Sequence, residues 1–233
     1  FSSDPDVFDF EPFITADGSR MYFLSTRAPE GQEPKPGWGH QNIWVMDREG
    51  DGWSAPREVG PPVNSDAGEY YPSLTVDGTL YFTRGMADGR SLVFRSRLAD
   101  GEFAEPEQLP AEVNSVDTQF NAFIAPDESY LIFCAAGRDD AVGRADYYIS
   151  FRDEEDHWTG PIPMGDRFNA KNSAARSMSL SPDGRYLFFS STRKLEGDDA
   201  GSYAAIKATQ TVPGNGSSDI YWVDATVIDE LRP

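Results

Sequence analysis

Phe13-Ile-Thr-Ala-Asp17-Gly18-Ser-Arg-Met21-Tyr22-Phe23 is the stretch on which the reading of this chain turns. An apolar segment meets an Asp-Gly turn, and a second apolar segment ends in aromatics. That is the pattern of a β-hairpin. It recurs as Ser73-Leu-Thr-Val-Asp77-Gly78 to Phe82, Phe123-Ile-Ala-Pro-Asp127-Glu128 to Phe133, and Ser179-Leu-Ser-Pro-Asp183-Gly184 to Phe189. The turn aspartates Asp17, Asp77, Asp127 and Asp183 lie 60, 50 and 56 residues apart. Short strands repeating every ~40–50 residues mark the blades of a β-propeller.

Each repeat continues into a third strand rich in β-branched and aromatic residues: Asn42–Val45, Ser91–Phe94, Asp146–Ile149 and Asp219–Val223. Three repeats add a fourth. It reads Trp53-Ser-Ala-Pro56-Arg-Glu-Val59, Phe103-Ala-Glu-Pro106-Glu-Gln-Leu109 and Trp158-Thr-Gly-Pro161-Ile-Pro-Met164. Proline confines such a strand to a sheet edge, because it cannot donate to the ladder. A polar connection with a recurring asparagine follows, at Asn64, Asn114 and Asn169.

The expected architecture is an all-β, single-domain propeller over 1–233 with four recognisable four-stranded blades, in repeats near 9–60, 69–110, 119–165 and 175–225. The last repeat has no aromatic-x-x-Pro strand, and the chain opens on Phe1. This predicts a truncated part of a five-bladed propeller, with Asp219–Val223 left as an edge. The alternative is a closed four-bladed propeller whose last blade has three strands.

The Pro-Asp-Gly turn between apolar strands, with the endings Phe23-Leu-Ser-Thr-Arg27 and Phe189-Ser-Ser-Thr-Arg193, resembles the WD40-like β-propeller repeat of TolB-type bacterial proteins. The likeness covers essentially the whole chain. It implies a propeller fold and export to the periplasm or the extracellular space. It does not imply TolB's partners, because the same repeat serves scaffolds, envelope proteins and hydrolase accessory domains.

Formal net charge is −19 and the pI about 4.3. Such a chain offers no basic face to nucleic-acid phosphates or to an anionic membrane surface. No apolar run is long enough to span a bilayer, so no membrane insertion is expected. Cys134 is the single cysteine and reads as a small buried hydrophobe within a strand.

Candidate site residues gather where a propeller brings its first strands together. Just before those strands stand Asp9 and Glu11, Glu69 and Tyr71, Gln119 and Asn121, and Arg176 and Ser177. Arg27, Arg84, Arg138 and Arg193 stand at the ends of the second strands. Acids and guanidiniums converging on an axis would orient a polar ligand. They would equally pair with one another and hold neighbouring blades in register. Two long connections, 28–41 and 194–215, interrupt the repeat, and loops of that length are frequently functional. Trp38 and His40 lie in the first. Trp38 has no strand of its own to pack on, so it is expected either to stack on a ligand or to close over the channel.

No catalytic motif appears. His40 and His157 lack the spacing of a zinc site, and no Gly-x-Ser-x-Gly elbow is present. No metal or cofactor is expected. The sequence therefore points to a non-catalytic exported binding or scaffold module that engages a protein or carbohydrate partner through its loop-rich face. The ligand contacts would be Glu11, Glu69, Tyr71, Asn121, Arg176, Arg27, Arg193, Trp38 and His40. The alternatives are a carbohydrate-active hydrolase or lyase using Asp9, Glu11 and Glu69, and an accessory propeller of a larger enzyme.

Overall fold

The turn aspartates act first. In the computed structural model, which describes residues 4–194, 202, 207 and 212–233, Asp17 Oδ1 accepts hydrogen bonds from the Thr15 hydroxyl at 2.7 Å and the Ser19 amide at 3.0 Å. The Thr15 hydroxyl, then the Ser19 amide, hold the Asp17 carboxyl down at about 2. Asp77, Asp127 and Asp183 make the same side-chain turn with Thr75 and Thr79, Ser129, and Ser181 and Arg185. The next residue is left-handed each time: Gly18, Gly78 and Gly184, with φ of 70°, 90° and 72°. In the third turn Glu128 adopts φ 63° without being glycine. Its carboxylate accepts the Tyr81 hydroxyl at 2.7 Å and pairs with Arg152 at 3.2 Å, which offsets the strain.

The chain is predominantly all-β and built from several sheets. The first unit runs through antiparallel strands Asp9–Ile14, Arg20–Ser25 and Asn42–Glu49. The second uses Gly68–Leu74, Leu80–Gly85 and Ser91–Ser96; the third uses Thr118–Ile124, Tyr130–Ala136 and Asp146–Phe151. The fourth has Ala175–Leu180, Tyr186–Ser191 and Asp219–Asp224. Thr118 pairs in parallel with Ser91, which fuses units two and three into one eight-stranded sheet.

The fourth strands differ from the expected single strand. Each is broken at its proline. In unit one Gly52–Trp53 pairs with Arg48 and Glu49, and Arg57–Glu58 pairs with Trp44 and Val45; Pro56, with no amide to donate, lies between. The recurring asparagines then clamp the third strands. Asn64 accepts from the Ile43 amide and donates to the Ile43 carbonyl, both at 3.0 Å. Asn114 does the same to Val93, and Asn169 to Tyr147.

The core lies between consecutive units. Tyr22, Ile43 and Val45 pack on Leu80, Phe82 and Leu92; Tyr81 and Val93 on Leu131 and Phe133; Tyr147 and Ile149 on Met178, Leu187 and Phe189. On the third strand of unit four Ile220 is 80% and Trp222 63% exposed. Among the described residues unit four has no fourth strand. Helix Val227–Leu231 follows Asp224 instead and buries Val227 and Ile228 against the core of units three and four. Residues near the start bond to unit one, where the Phe8 amide donates to Thr26 Oγ1 at 2.9 Å. Most of the 194–215 connection lies outside the described residues.

Trp44 is 8% exposed and packs with Met21, Phe23 and Met46. Trp44→Ala is expected to cost roughly 3–5 kcal/mol in urea unfolding, the range for large aromatic truncations in cores. A loss below about 1 kcal/mol, the scale of a surface change, would contradict this packing.

A second expectation concerns acid. Asp156 forks onto Arg95, with Oδ1 2.7 Å from Nη1, and bonds Arg152 Nε at 2.6 Å, tying units two and three together. Arg95 first, then Arg152, holds its carboxyl well below the usual range. A lowered folded pKa gives stability that is present above the ordinary value near 3.8 and lost as pH falls through the folded value. Asp156→Asn should therefore lower stability at neutral pH and flatten the acid limb of the melting profile.

Candidate functional site

Counting back from the turn aspartates separates two sets of residues. Eight positions before each turn stand Asp9, Glu69, Gln119 and Ala175; six before stand Glu11, Tyr71, Asn121 and Ser177. The structure gives the two sets different work.

The first set fastens each unit to itself. Arg27 forks onto Asp9, with Nη2 2.9 Å from Oδ2. Glu69 is wholly buried, bonded by Arg84 Nε at 2.8 Å, the Ser65 hydroxyl at 2.6 Å and the Ser65 amide at 3.1 Å. Burial still pushes its carboxyl above the ordinary value. Gln119 bonds both the amide and the carbonyl of Val116.

The second set lies on bulges. All four first strands shift register here, between Phe10 and Phe13, Tyr70 and Ser73, Phe120 and Phe123, and Ala175 and Met178. Glu11, Tyr71 and Asn121 take φ of 55°, 56° and 53°. Left-handed conformations at non-glycine residues cost energy, and bulges commonly re-aim side chains beside functional sites. Here they accompany contacts between units. The Tyr71 hydroxyl donates to the Met178 carbonyl and accepts from the Met178 amide, both at 2.8 Å. Asn121 donates to the Arg176 carbonyl.

Glu11, Tyr71 and Ser177 line a cavity of about 480 Å³, to which all four units contribute; the predicted contacts Asn121 and Arg176 are not among its lining residues. Its walls are largely apolar, with Pro12 and Phe13 from unit one, Pro72 and Phe123 from units two and three, and Phe188 and Ile220 from unit four. Serines 73, 177, 179 and 190 add polar points. Glu11 is its only lining carboxyl among the described residues. Glu11 Oε2 accepts the Tyr71 amide at 2.9 Å. No ion pair reaches Glu11 among the described residues. Desolvation raises its pKa to about 7, against the smaller lowering effect of the Tyr71 amide.

The other predicted contacts lie apart from this cavity. Arg27 serves Asp9, and Arg193 Nη2 donates to the carbonyls of Arg167 and Phe168 at 2.7 and 2.8 Å. His40 is buried, with Nε2 3.0 Å from the Glu33 carbonyl, and lines a separate cleft with Lys35 and Asn42. Trp38 does find a strand to pack on. Its ring stacks on Phe10 at 5.3 Å and contacts Phe8 at 5.5 Å. Sequence reasoning placed Ser177 on this face but missed Met178 and Phe188 as wall residues. Ser177 occupies the repeat position of Glu11.

One cluster elsewhere carries metal-type donors. Asp153, Glu155 and His157 hold ligand atoms within 4.8 Å of one another, although His157 lacks any zinc-type sequence spacing. All three are exposed on a turn. Asp153 accepts the amides of His157 at 2.9 Å and Glu155 at 3.0 Å, which accounts for the clustering.

No family model matches the sequence, and no curated protein matches it. Solved structures do show distant likeness. TolB from Acinetobacter baumannii superposes with a TM-score of 0.47 at 16% identity over 81% of this chain. The chain spans 38% of that protein's length. BT0996, in its complex with RGII, gives a TM-score of 0.50 at 13% identity, covering 81% of this chain and 66% of its own. XC5397 from Xanthomonas campestris, a gluconolactonase, gives 0.44 at 13% identity over 78% of this chain and 53% of its own. The likeness is one of fold.

Glu11 should titrate near pH 7, as followed by carboxyl-carbon NMR. The sign for stability follows from the raised folded value. Between the ordinary value of 4.5 and about 7 the folded state holds the proton more tightly, so Glu11's contribution is full below 4.5 and falls as pH rises through about 7. The loss is up to about 3 kcal/mol by linkage. Glu11→Gln should remove that slope from chemical unfolding measured across this window.

Proposed function

We propose that this chain is an exported, propeller-type all-β domain whose axial cavity binds a small molecule, and that Glu11 is the group that gives or takes a proton there. The observation that carries the reading is a carboxyl with no ion-pair partner among the described residues, lining a cavity of about 480 Å³ whose walls desolvate it and push it up to about 7. Cavities of ~300–1,000 Å³ with apolar walls and a few convergent polar groups are the usual form of small-molecule sites. A carboxyl poised near 7 suits general acid–base work. This favours channel-mouth carboxylate chemistry over a passive scaffold.

The chemistry this supports is narrower than glycoside hydrolysis. That route uses two carboxyls flanking one bond. Asp9 and Glu69 are held by Arg27 and Arg84, which leaves Glu11 alone in the cavity. A single acid–base residue fits proton abstraction or elimination, the lyase form of the reading. A binding module for a carbohydrate or protein partner is the second reading. It is favoured by the apolar Phe8, Phe10 and Trp38 cluster standing exposed on unit one. Residence in the periplasm or outside the cell belongs to the same proposal and rests on the TolB-type repeat.

Glu11→Gln keeps the side-chain shape and an oxygen for the Tyr71 amide while removing the proton-transfer group. Turnover of any substrate found by screening should be abolished, with the melting temperature changed by only a few degrees. If Glu11 binds without catalysing, the same swap should weaken affinity by roughly 1–3 kcal/mol, the scale of a charged hydrogen bond. Unchanged turnover and affinity in a folded Glu11→Gln protein would exclude the axial cavity as the site.

A further inference from the structure

Building on the small-molecule reading of the axial cavity, we infer that its ligand is an organic cation, with an ammonium group set against the Glu11 carboxylate and an apolar body lying along Phe13, Phe123 and Phe188.

Charge is the first reason. The two other buried first-strand acids each have a guanidinium of their own: Asp9 has Arg27 and Glu69 has Arg84. Glu11 stands on the same first strand as Asp9 and receives a backbone amide on Oε2. Among the described residues Oε1 has no hydrogen-bond partner. The Glu11 carboxylate is half-buried and desolvated by the cavity walls, with no counter-charge among the described residues, and an ammonium ligand would supply what Arg27 and Arg84 supply elsewhere.

The walls are the second. Phe13, Phe123, Phe188 and Phe189 line the cavity. Aromatic rings attract cations through their π-faces and accept an apolar body equally well. A polyol would find the four serines but would set its remaining hydroxyls against Pro12, Pro72 and Ile220. An anion would meet the unpaired carboxyl directly, on a chain of net charge −19 that draws cations inward.

The other titratable groups in electrostatic reach of Glu11 are Tyr70 and Tyr71 of unit two and Cys134 of unit three. Burial pushes all three upward, out of the neutral range. Arg176, on the first strand of unit four, is a charged group that acts on Cys134. Glu11 is thus the group whose ionisation governs cation binding between pH 6 and 8.

Calorimetric titration with phenethylamine and with its neutral isostere 2-phenylethanol tests this on the full chain. Phenethylamine should bind the tighter of the two. Its affinity should rise about tenfold from pH 6 to pH 8, as the carboxylate fraction grows around a pKa of 7. Glu11→Gln, checked for folding by its melting temperature, should lose that pH dependence and at least tenfold in amine affinity, with 2-phenylethanol unaffected. Phe-Ala-amide separates two sources of the ammonium. Binding comparable to phenethylamine assigns a peptide amino terminus, and much weaker binding assigns a free amine. Equal, pH-independent binding of amine and alcohol would overturn the cation while leaving the small-molecule site standing. Binding of neither at millimolar concentration, together with failure of a broader neutral screen to perturb Glu11 or Met178, would overturn both.

Discussion

A bulge in a β-strand frees a backbone amide, and an amide freed near the axis of a packed fold must find another acceptor. The arrangement of these units follows from how that demand is met. The Tyr71 amide of unit two donates to Glu11 of unit one. The Asn121 amide of unit three donates to Thr83 Oγ1 of unit two at 3.0 Å. The Arg176 and Ser177 amides of unit four reach the Tyr147 hydroxyl of unit three at 3.2 Å. Each unit thus supplies the acceptor for the next, and the bulges that re-aim side chains toward the cavity also bind the units in sequence. Tyr71 adds a longer link, from unit two to the Met178 backbone of unit four.

Two carboxylates two residues apart, Asp9 and Glu11, have opposite environments because the bulge lies between them and the cavity. Asp9 precedes it and meets Arg27 at the end of the neighbouring strand. Glu11 is on it, beside Pro12 and Phe13, with no guanidinium pairing it among the described residues. The same division separates Glu69 from Tyr71. Electrostatic pairing therefore goes to holding each first strand to its own unit. The cavity is left largely apolar, so the one acid that lines it among the described residues is desolvated rather than paired.

Much of the fold was legible because its signals are local. The Asp-Gly turns, the aromatic second and third strands and the clamping asparagines all act within one unit, and their spacing survives in sequence. The broken fourth strand was half legible. Pro56 announced an edge, but not that pairing would stop on both sides of it. The bulges were not legible. They shift register by a residue without changing composition, so Glu11 and Glu69 looked alike when only distance from the turn told them apart. Trp38 illustrates a second limit. The loop around it names no partner, and Phe8 and Phe10 come to it only because the first strand leaves that face open. Helix Val227–Leu231 replaces an outer strand by tertiary packing of Val227 and Ile228, which outweighs the repeat's own pattern.

The acceptor chain also bears on why position 11 carries a carboxyl at all. Pairing the bulge amide needs only one oxygen. Unit two meets the demand with a threonine hydroxyl and unit three with a tyrosine hydroxyl, neither of which adds a charge to be desolvated. A glutamine would serve unit one as well and would spare it the raised pKa. Glutamate at this position stabilises the fold less than its neutral equivalents at neutral pH, because burial opposes its charged form. Residues that act against stability while packing correctly concentrate where a fold does its work. The amide explains an oxygen at position 11; on the proposed reading, the cavity it faces explains the charge.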